Sequence, residues 1–455
     1  MNYLEAIDAI KKIEDKYDVM SIKYKGVSVW PFLRVYICDS LAVNKQQKMS
    51  SSNVMLVLKT LFAYNPFVYF KRHDLWTFSS QNKRKQLGEK WIAPISGGLT
   101  DICPNALTIE WPNKNRLFLS KKKLNEKYII SASWLLLMGH AIEILRRPFK
   151  IQLEGEDIIK SILNELDLSF DYNYFVRYMI AQKKTMDICL AICKKPKVVF
   201  FECPCTCMGF IWSMHKHNIP IVEMQHGVLN SNHYAYNSKF RSDLLFPDEI
   251  CVFGEIEYDY LTKENPVFCK NVTQTGSYIL EKSVDFFSED IFKEFRIKYK
   301  KIVVVAGQMV YENEMSDFVK EVAPAYSDVL FIYIPRHPDT KIDFEGKPNI
   351  VFRPNVNIYQ YLMWCDIHMT ISSTTCLECQ FLKKPTIFYN KYELATQYYG
   401  NILEEINGAV YINGADELEN AFNYIENTKF EYKNIFAHNH TEKLRKVVEK
   451  YINKQ

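Results

Sequence analysis

The sequence predicts an α/β fold with two domains, each built around a parallel sheet. Three observations carry that expectation. At 455 residues the chain is too long for one ordinary core. Short continuous apolar runs such as "KVVFFE" (197–202) and "KIVVVAGQ" (301–308) have the length of strands and the character of strands buried on both faces. From Lys197 onward these runs alternate with helical patterns, as they do in parallel α/β domains.

The elements follow in chain order. Residues 1–190 read as mixed structure: "YKGVSVWPFLRVYICDSLA" (24–42) as a strand, a Pro-marked turn and a helix, and "WIAPISGGLTDICPNALTIEWP" (91–112) as strand ends joined by a Gly-rich loop. Glu156 to Cys193 is helical by periodicity. Next comes a strand–helix–strand unit: "KVVFFE", "MGFIWSMHKHN" (208–218) and "IPIVEMQHG" (219–227). Short strands at "DEICVFGE" (248–255) and "KNVTQTGS" (270–277) each end near a glycine. After a charged helical connector (280–300), strands are expected at 301–308, 329–339, 349–355, 367–375, 384–390 and 409–414, with helices between them. This predicts an enlarged N-terminal Rossmann-like domain, 1–290, and a C-terminal one, 291–455, with their sheets facing an interdomain cleft.

Composition narrows the function. Apolar residues make up 48%, charged residues 24%, and the formal net charge is +4. That balance excludes a disordered tail and a protein that wraps nucleic acid by bulk charge. The twelve cysteines are scattered, and Cys203, Cys205 and Cys207 in "ECPCTC" have no second pair to complete a tetrahedral site, so thiols in a reducing cytosol are expected and no metal. "MNYLEAIDAIKKIEDKYD" lacks the apolar stretch of a secretory signal. "YIISASWLLLMGHAIEIL" (128–145), interrupted by His140 and Glu143, reads as a buried helix rather than a span. Its flanks "KKKLNEK" and "LRRPFK" suit peripheral contact with the inner membrane surface, so the expected location is cytoplasmic, with a peripheral option.

In an open parallel sheet, ligands bind beyond the carboxyl ends of the strands. Those ends carry Glu202, Gln225-His226-Gly227, Gly254-Glu255, Gly276-Ser277, Gly307-Gln308, Arg336-His337-Pro338 and Ser372-Ser373-Thr374-Thr375. In "PRHPD" (335–339), His337 suits a phosphate or ribose oxygen and Arg336 adds fixed charge, or Pro338 simply shapes a turn. "ISSTTCLE" (371–378) sets four hydroxyl residues at a strand-to-helix turn. Those hydroxyls suit helix capping or, with the helix N-terminus, a phosphate; Glu378 lies one turn on, where it suits ribose hydroxyls. In "IVEMQHGVLNSNH" (221–233), Gly227 relieves the backbone after a strand. His226 suits a general base, an acceptor-positioning group or a ligand to a leaving phosphate. No G-x-x-x-x-G-K-[ST] and no G-x-G-x-x-G supports a P-loop or dinucleotide enzyme.

Taken in order, QHG, then RHP, then SSTT followed by an acid resembles bacterial GT-B glycosyltransferases of surface polysaccharide synthesis. The nearest likenesses are capsule-type transferases of CMP-activated Kdo and sialic acid, and the CDP-glycerol glycerophosphotransferases. The resemblance spans roughly 197–425. It implies that His337 and Pro338 lie by the nucleotide and phosphate, with Ser372 and Ser373 on the donor phosphate. Glu378 matches the ribose-binding acid, and the QHG histidine stands across the cleft. Sialyltransferases of this kind carry their base in a D/E-D/E-G triplet, and the N-terminal half has none. The candidates for the base are therefore His226, Glu202 and Asp101, in that order. The expectation is a metal-independent glycosyltransferase, with no cofactor beyond its nucleotide-sugar donor (CMP- or other NDP-sugar). Its acceptor would be a growing surface glycan or a lipid-linked one. Gly307, Gln308 and Thr374 are expected on the donor side, and Gln225, Gly227 and Gly276 on the acceptor side. A nucleotide-sugar 2-epimerase on the same plan, a teichoic-acid-type glycerophosphotransferase and a non-catalytic scaffold are the alternatives.

Overall fold

A computed structural model describes residues 3–43, 51–80, 84–112, 119–308, 310–337, 339–399, 406–433 and 435–453. The chain divides into two compact units. The first comprises residues 1–253, 257–278 and 439–455, and the second comprises 254–256 and 279–438.

The first unit opens with the helix Tyr3–Lys16; a hairpin follows, β1 (Lys23–Tyr24) and β2 (Val27–Ser28), after which the helix Trp30–Val43 begins with Pro31 in its first turn. Pro is tolerated there because the N–H it lacks would have no helical partner. Its main sheet uses β3 (Leu75–Ser80), β6 (Leu107–Trp111), β7 (Tyr128–Ser131), β8 (Val198–Phe201), β9 (Ile221–Met224), β10 (Glu249–Val252) and β11 (Asn271–Gln274). A second hairpin, β4 (Lys85–Leu87) with β5 (Lys90–Ile92), stands apart from it. The sheet order is β11-β10-β9-β8-β3-β6-β7, every pairing parallel. Every residue of β8, β9 and β10 is buried, which is why their sequences read as unbroken runs rather than alternating ones.

The "SGG" of 96–98 is not the expected loop. Gly97 and Gly98 open a short helix, Gly97–Ile102, and a side chain at either would collide with Tyr278, His440 or Leu444. Only a glycine pair lets these elements close up. The apolar stretch 128–145 becomes the edge strand β7 followed by the helix Ser133–Arg146. Glu143 is buried in that helix and bonds to Arg147 and Arg177. Among the described residues no helix is long and apolar enough to cross a membrane.

The second unit holds β12 (Lys301–Ala306), β13 (Val329–Ile334), β14 (Ile350–Phe352), β15 (Ile367–Thr370), β16 (Thr386–Tyr389) and β17 (Ala409–Ile412). They pair in the order β14-β13-β12-β15-β16-β17, again all parallel. In register, Ala306 lies beside Ile334 on one side and Thr370 on the other. The three chains that leave β12, β13 and β15 therefore emerge together at one carboxyl edge.

The division differs from the expected 1–290 and 291–455 at three places. Residues 254–256 go with the second unit, the main boundary falls at Tyr278, and the last helix, His440–Ile452, belongs to the first unit. The reason is apolar: Leu444, Val447, Val448 and Tyr451 share a buried cluster with Leu75, Val198, Val222 and Cys251. Lys450 Nζ and Tyr451 Oη add bonds of 2.6 and 2.8 Å to the buried Glu249.

Candidate functional site

Two carboxyl edges carry the polar residues, one in each unit. In the second unit the edge is braced by hydrogen bonds among amides, hydroxyls and one carboxylate. Gln308 takes the backbone N–H of Ser372 on Oε1 at 2.7 Å, and its Nε2 donates to Ser372 Oγ at 3.0 Å. Tyr399 donates to the Ser372 carbonyl at 3.0 Å. Gln308 and Ser372 are thus committed to joining the loops after β12 and β15. Below them sits His368, fully buried, with Nε2 2.9 Å from Thr375 Oγ1 and Nδ1 3.1 Å from Thr386 Oγ1. Burial drives its pKa down to about 3, so the ring is neutral and serves as a hydrogen-bonding strut.

The hydroxyl run is partly spent in this bracing. Ser373 Oγ accepts from the Thr375 N–H at 3.4 Å and from Thr375 Oγ1 at 3.0 Å, while its own N–H donates to Thr370 Oγ1 at 3.3 Å. Thr374 stands at the cap of the helix Thr375–Phe381 but makes no side-chain capping bond. Ser373 and Thr374 are half-buried, Ser372 and Thr375 buried. Glu378, in that helix, accepts from Tyr359 Oη at 2.9 Å. Burial first, and then the Glu378 charge, push the Tyr359 hydroxyl well above its ordinary pKa, so it remains a donor.

Glu312, which the motif reading passed over, is the pivot of this edge. Its Oε1 accepts from Tyr333 Oη at 2.8 Å and its Oε2 from the Arg336 N–H at 3.2 Å. It also lies so close to Gly307 that a Cβ there would strike the carboxylate. Gly307 is therefore required by packing, which a glycine followed closely by a helical acid could have signalled. With the Arg336 backbone fixed, the side chains of Arg336 and His337 are exposed. Pro338 lies outside the described residues.

The first unit builds its edge from acids and rings. Gln225 is buried, and its amide donates to Gly227 O at 2.8 Å and Glu257 Oε1 at 2.9 Å and accepts from the Phe253 N–H. It fixes the turn after β9 and is not itself presented to a ligand. Gly227 has no left-handed φ, and a Cβ there would meet nothing within 4 Å, so the turn does not need glycine. Gly276, by contrast, has φ +75° after β11, a conformation that disfavours a side chain.

His226 is half-buried, with Nδ1 3.5 Å from Tyr236 Oη, at the outer edge of hydrogen-bonding distance. Tyr236 gives its one proton to the buried Glu223, so towards His226 its oxygen can only accept. That arrangement favours a proton on Nδ1 and leaves the Nε2 lone pair available. His233 completes the group, its ring 4.8 Å from that of Tyr236. Burial, and then the neighbouring His226, lower its pKa to about 4. His233 closes the same thirteen-residue stretch as His226, yet spacing alone gave no reason to single it out.

This loop is held from far away in sequence. Arg34 Nη2 donates to Asn237 Oδ1 at 2.6 Å, Nη1 donates to the Tyr234 carbonyl, and Nε pairs with Glu14 at 2.7 Å; both charged side chains are buried. Trp30 Nε1 donates to the same Glu14 oxygen at 3.0 Å. The first helices of the chain thus form a bracket for residues 234–237.

The other two candidate bases are placed differently. Glu202, buried after β8, accepts from Ser96 Oγ at 2.9 Å. Asp101 is exposed and accepts from Tyr278 Oη at 2.9 Å. Cys203 and Cys205 have their sulfurs 3.5 Å apart; that hydrogen bond, together with burial, holds the Cys205 thiol well above its ordinary value. Among the described residues no three His, Cys, Asp or Glu side chains are grouped to hold a metal ion.

No protein-family model matches the chain, and no curated protein matches it. Solved structures do. The Staphylococcus aureus MnaA–UDP co-structure is 12% identical with a TM-score of 0.51, covering 84% of this chain and 97% of that one. The UDP-GlcNAc 2-epimerase of Methanocaldococcus jannaschii is 12% identical with a TM-score of 0.49, covering 83% and 99%. The kitacinnamycin glycotransferase is 10% identical with a TM-score of 0.46, covering 83% and 94%. At such identities the likeness is one of fold.

Proposed function

We propose, from a GT-B-like fold with a parallel sheet in each unit, that the chain is a nucleotide-sugar enzyme, and first of all a glycosyltransferase. The observation that carries the reading is the edge of the second unit. Three adjacent strands deliver Gln308, Arg336 and Ser372-Ser373-Thr374 to one place, with the backbone locked by Glu312 and Gln308. Fixed donors and an exposed guanidinium suit a diphosphate or phosphodiester, whose charge builds as the sugar leaves. Arg336, His337, Ser373 and Thr374 take the donor phosphate in this reading, and Glu378 the ribose. The fold likeness to a UDP-bound structure is in keeping with it.

In the first unit, His226 is assigned the acceptor. Its Nε2 takes the proton of an acceptor hydroxyl as that oxygen attacks the anomeric carbon, and the nucleotide departs with the bonding electrons. Tyr236, itself held by Glu223, orients the ring through Nδ1. CMP, CDP and UDP donors are distinguished by titrating each nucleotide into the wild-type protein and into His337→Ala and Ser373→Ala. The reading expects one nucleotide to bind and both substitutions to weaken it; unchanged affinity in both removes the site.

A nucleotide-sugar epimerase is the second reading. It is favoured by His226 and Glu202 following the adjacent strands β9 and β8, since removing and returning a proton on a sugar carbon needs an acid–base pair. Conversion of a nucleotide sugar to its epimer without any acceptor would select it. Transfer that requires an acceptor selects the first.

A further inference from the structure

The helix that ends the apolar stretch 128–145 exposes Ile144 and Leu145, and a second exposed apolar surface lies next to it. Met55 and Leu58 on the helix Ser51–Thr60, and Phe62 and Phe67 after it, are 55, 46, 75 and 72% exposed. Met55, Leu58 and Phe62 are spaced three and four apart, so they continue one helical face. Phe62 meets the half-buried Trp134 edge-on at 5.5 Å, and Trp134 Nε1 donates to the Leu61 carbonyl at 2.8 Å. Beside them opens a cavity of about 360 Å³ bordered by Tyr64, Asn65, Leu119, Ser120 and Lys121.

The charges around this surface are mainly basic, with Glu89 the exposed acid beside Lys90, which donates to the Lys122 carbonyl. Lys59, Lys121, Lys122 and Lys123 are exposed. Glu110 and Glu126, the carboxylates of the neighbouring segments, are buried on Arg84. The surface is thus apolar and aromatic with a rim of lysines. That chemistry suits a bilayer interface with anionic headgroups, where aromatic rings settle at headgroup depth and each lysine adds attraction.

We propose that this surface seats the protein on an anionic lipid bilayer. Trp134 lies in the first turn of the helix that follows β7, so this part of the contact is at the same carboxyl edge of the sheet as the His226 loop after β9. Four strand intervals of about 4.8 Å put the two roughly 19 Å apart across the sheet. A bilayer contact at that position suits an acceptor that is itself held in a membrane. The proposal does not depend on the nucleotide-sugar reading, because lipid partitioning is measured without donor.

The test uses the full chain with vesicles of phosphatidylcholine alone and vesicles one-third phosphatidylglycerol. The expectation is selective co-sedimentation with the anionic vesicles, reversed by high salt. Replacing Lys121, Lys122 and Lys123 by Ser should lower the partition coefficient roughly 100-fold. Phe62→Ser with Phe67→Ser should lower it roughly tenfold or more. All five positions are exposed, and unchanged thermal unfolding of each variant checks that it is folded. Equal binding to both vesicle types, or insensitivity to the lysine changes, would overturn the proposal. So would a dimer in sedimentation velocity that the two Phe substitutions dissolve while vesicles go unbound, because the surface would then join two copies of this chain.

Discussion

The two sheet edges solve different problems with different chemistry. In the second unit, hydroxyls, amides, a neutral histidine and the Glu312 carboxylate tie neighbouring loops together and leave Arg336 and His337 exposed. In the first, a half-buried histidine stands over a buried Tyr–Glu pair, and a buried ion pair secures the loop from outside the sheet. An edge of fixed donors suits holding an anion; an edge of acids and imidazoles suits moving a proton. In the proposed reading, fixed charge and mobile protons fall on separate sheets.

The largest expected effect breaks the first edge. Arg34→Ala leaves Glu14 buried without its guanidinium and frees residues 234–237. It should cost about 3–5 kcal/mol in urea unfolding. Amide exchange would quicken across residues 230–238, and the second unit's edge should be unaffected.

Acid comes next, and it strikes both edges. His233 and His368 have folded pKa values of about 4 and about 3, below the unfolded value near 6.5. Their stability is complete above roughly pH 6.5, where both states are neutral. It is lost as pH falls, because only the unfolded chain takes up the proton. Each of these histidines should contribute about 1.4 kcal/mol per pH unit until its folded pKa is reached. His368→Asn should flatten the slope of stability against pH between about 6 and 4. An unchanged slope would show that His368 does not resist protonation.

Glu312→Ala sharpens the comparison from the other side. It removes the acceptor for Tyr333 Oη and the Arg336 N–H, which should cost about 1–3 kcal/mol of stability. Nucleotide binding should weaken with it, measured by calorimetry. Tyr236→Phe should have the smallest effect on stability, on the order of 1 kcal/mol. It should lower the turnover rate while leaving nucleotide affinity unchanged, since it touches only the first unit's edge.

Much of this was legible in the chain. Val198–Phe201 and Lys301–Ala306 announced buried parallel strands because both their faces are covered. The motif reading also brought Gln308, Arg336 and Ser372 to one edge, since residues at strand ends inherit their neighbours from strand order. It could not say which of them brace and which remain for a ligand, because that depends on pairings such as Gln308 with Ser372, 64 positions apart. Arg34 and Asn237 lie 203 positions apart, and no local pattern marks an arginine that will be buried. The final helix had ordinary amphipathic spacing, so nothing local indicated which sheet its apolar face would cover.

The most direct test is calorimetric titration of UDP, CDP and CMP into the wild-type protein and into Arg336→Ala, whose exposed side chain can be removed without disturbing the bracing. The account predicts that one of these nucleotides binds the wild type and that Arg336→Ala weakens it roughly tenfold or more. Binding of none of the three, or equal binding by both proteins, would contradict it.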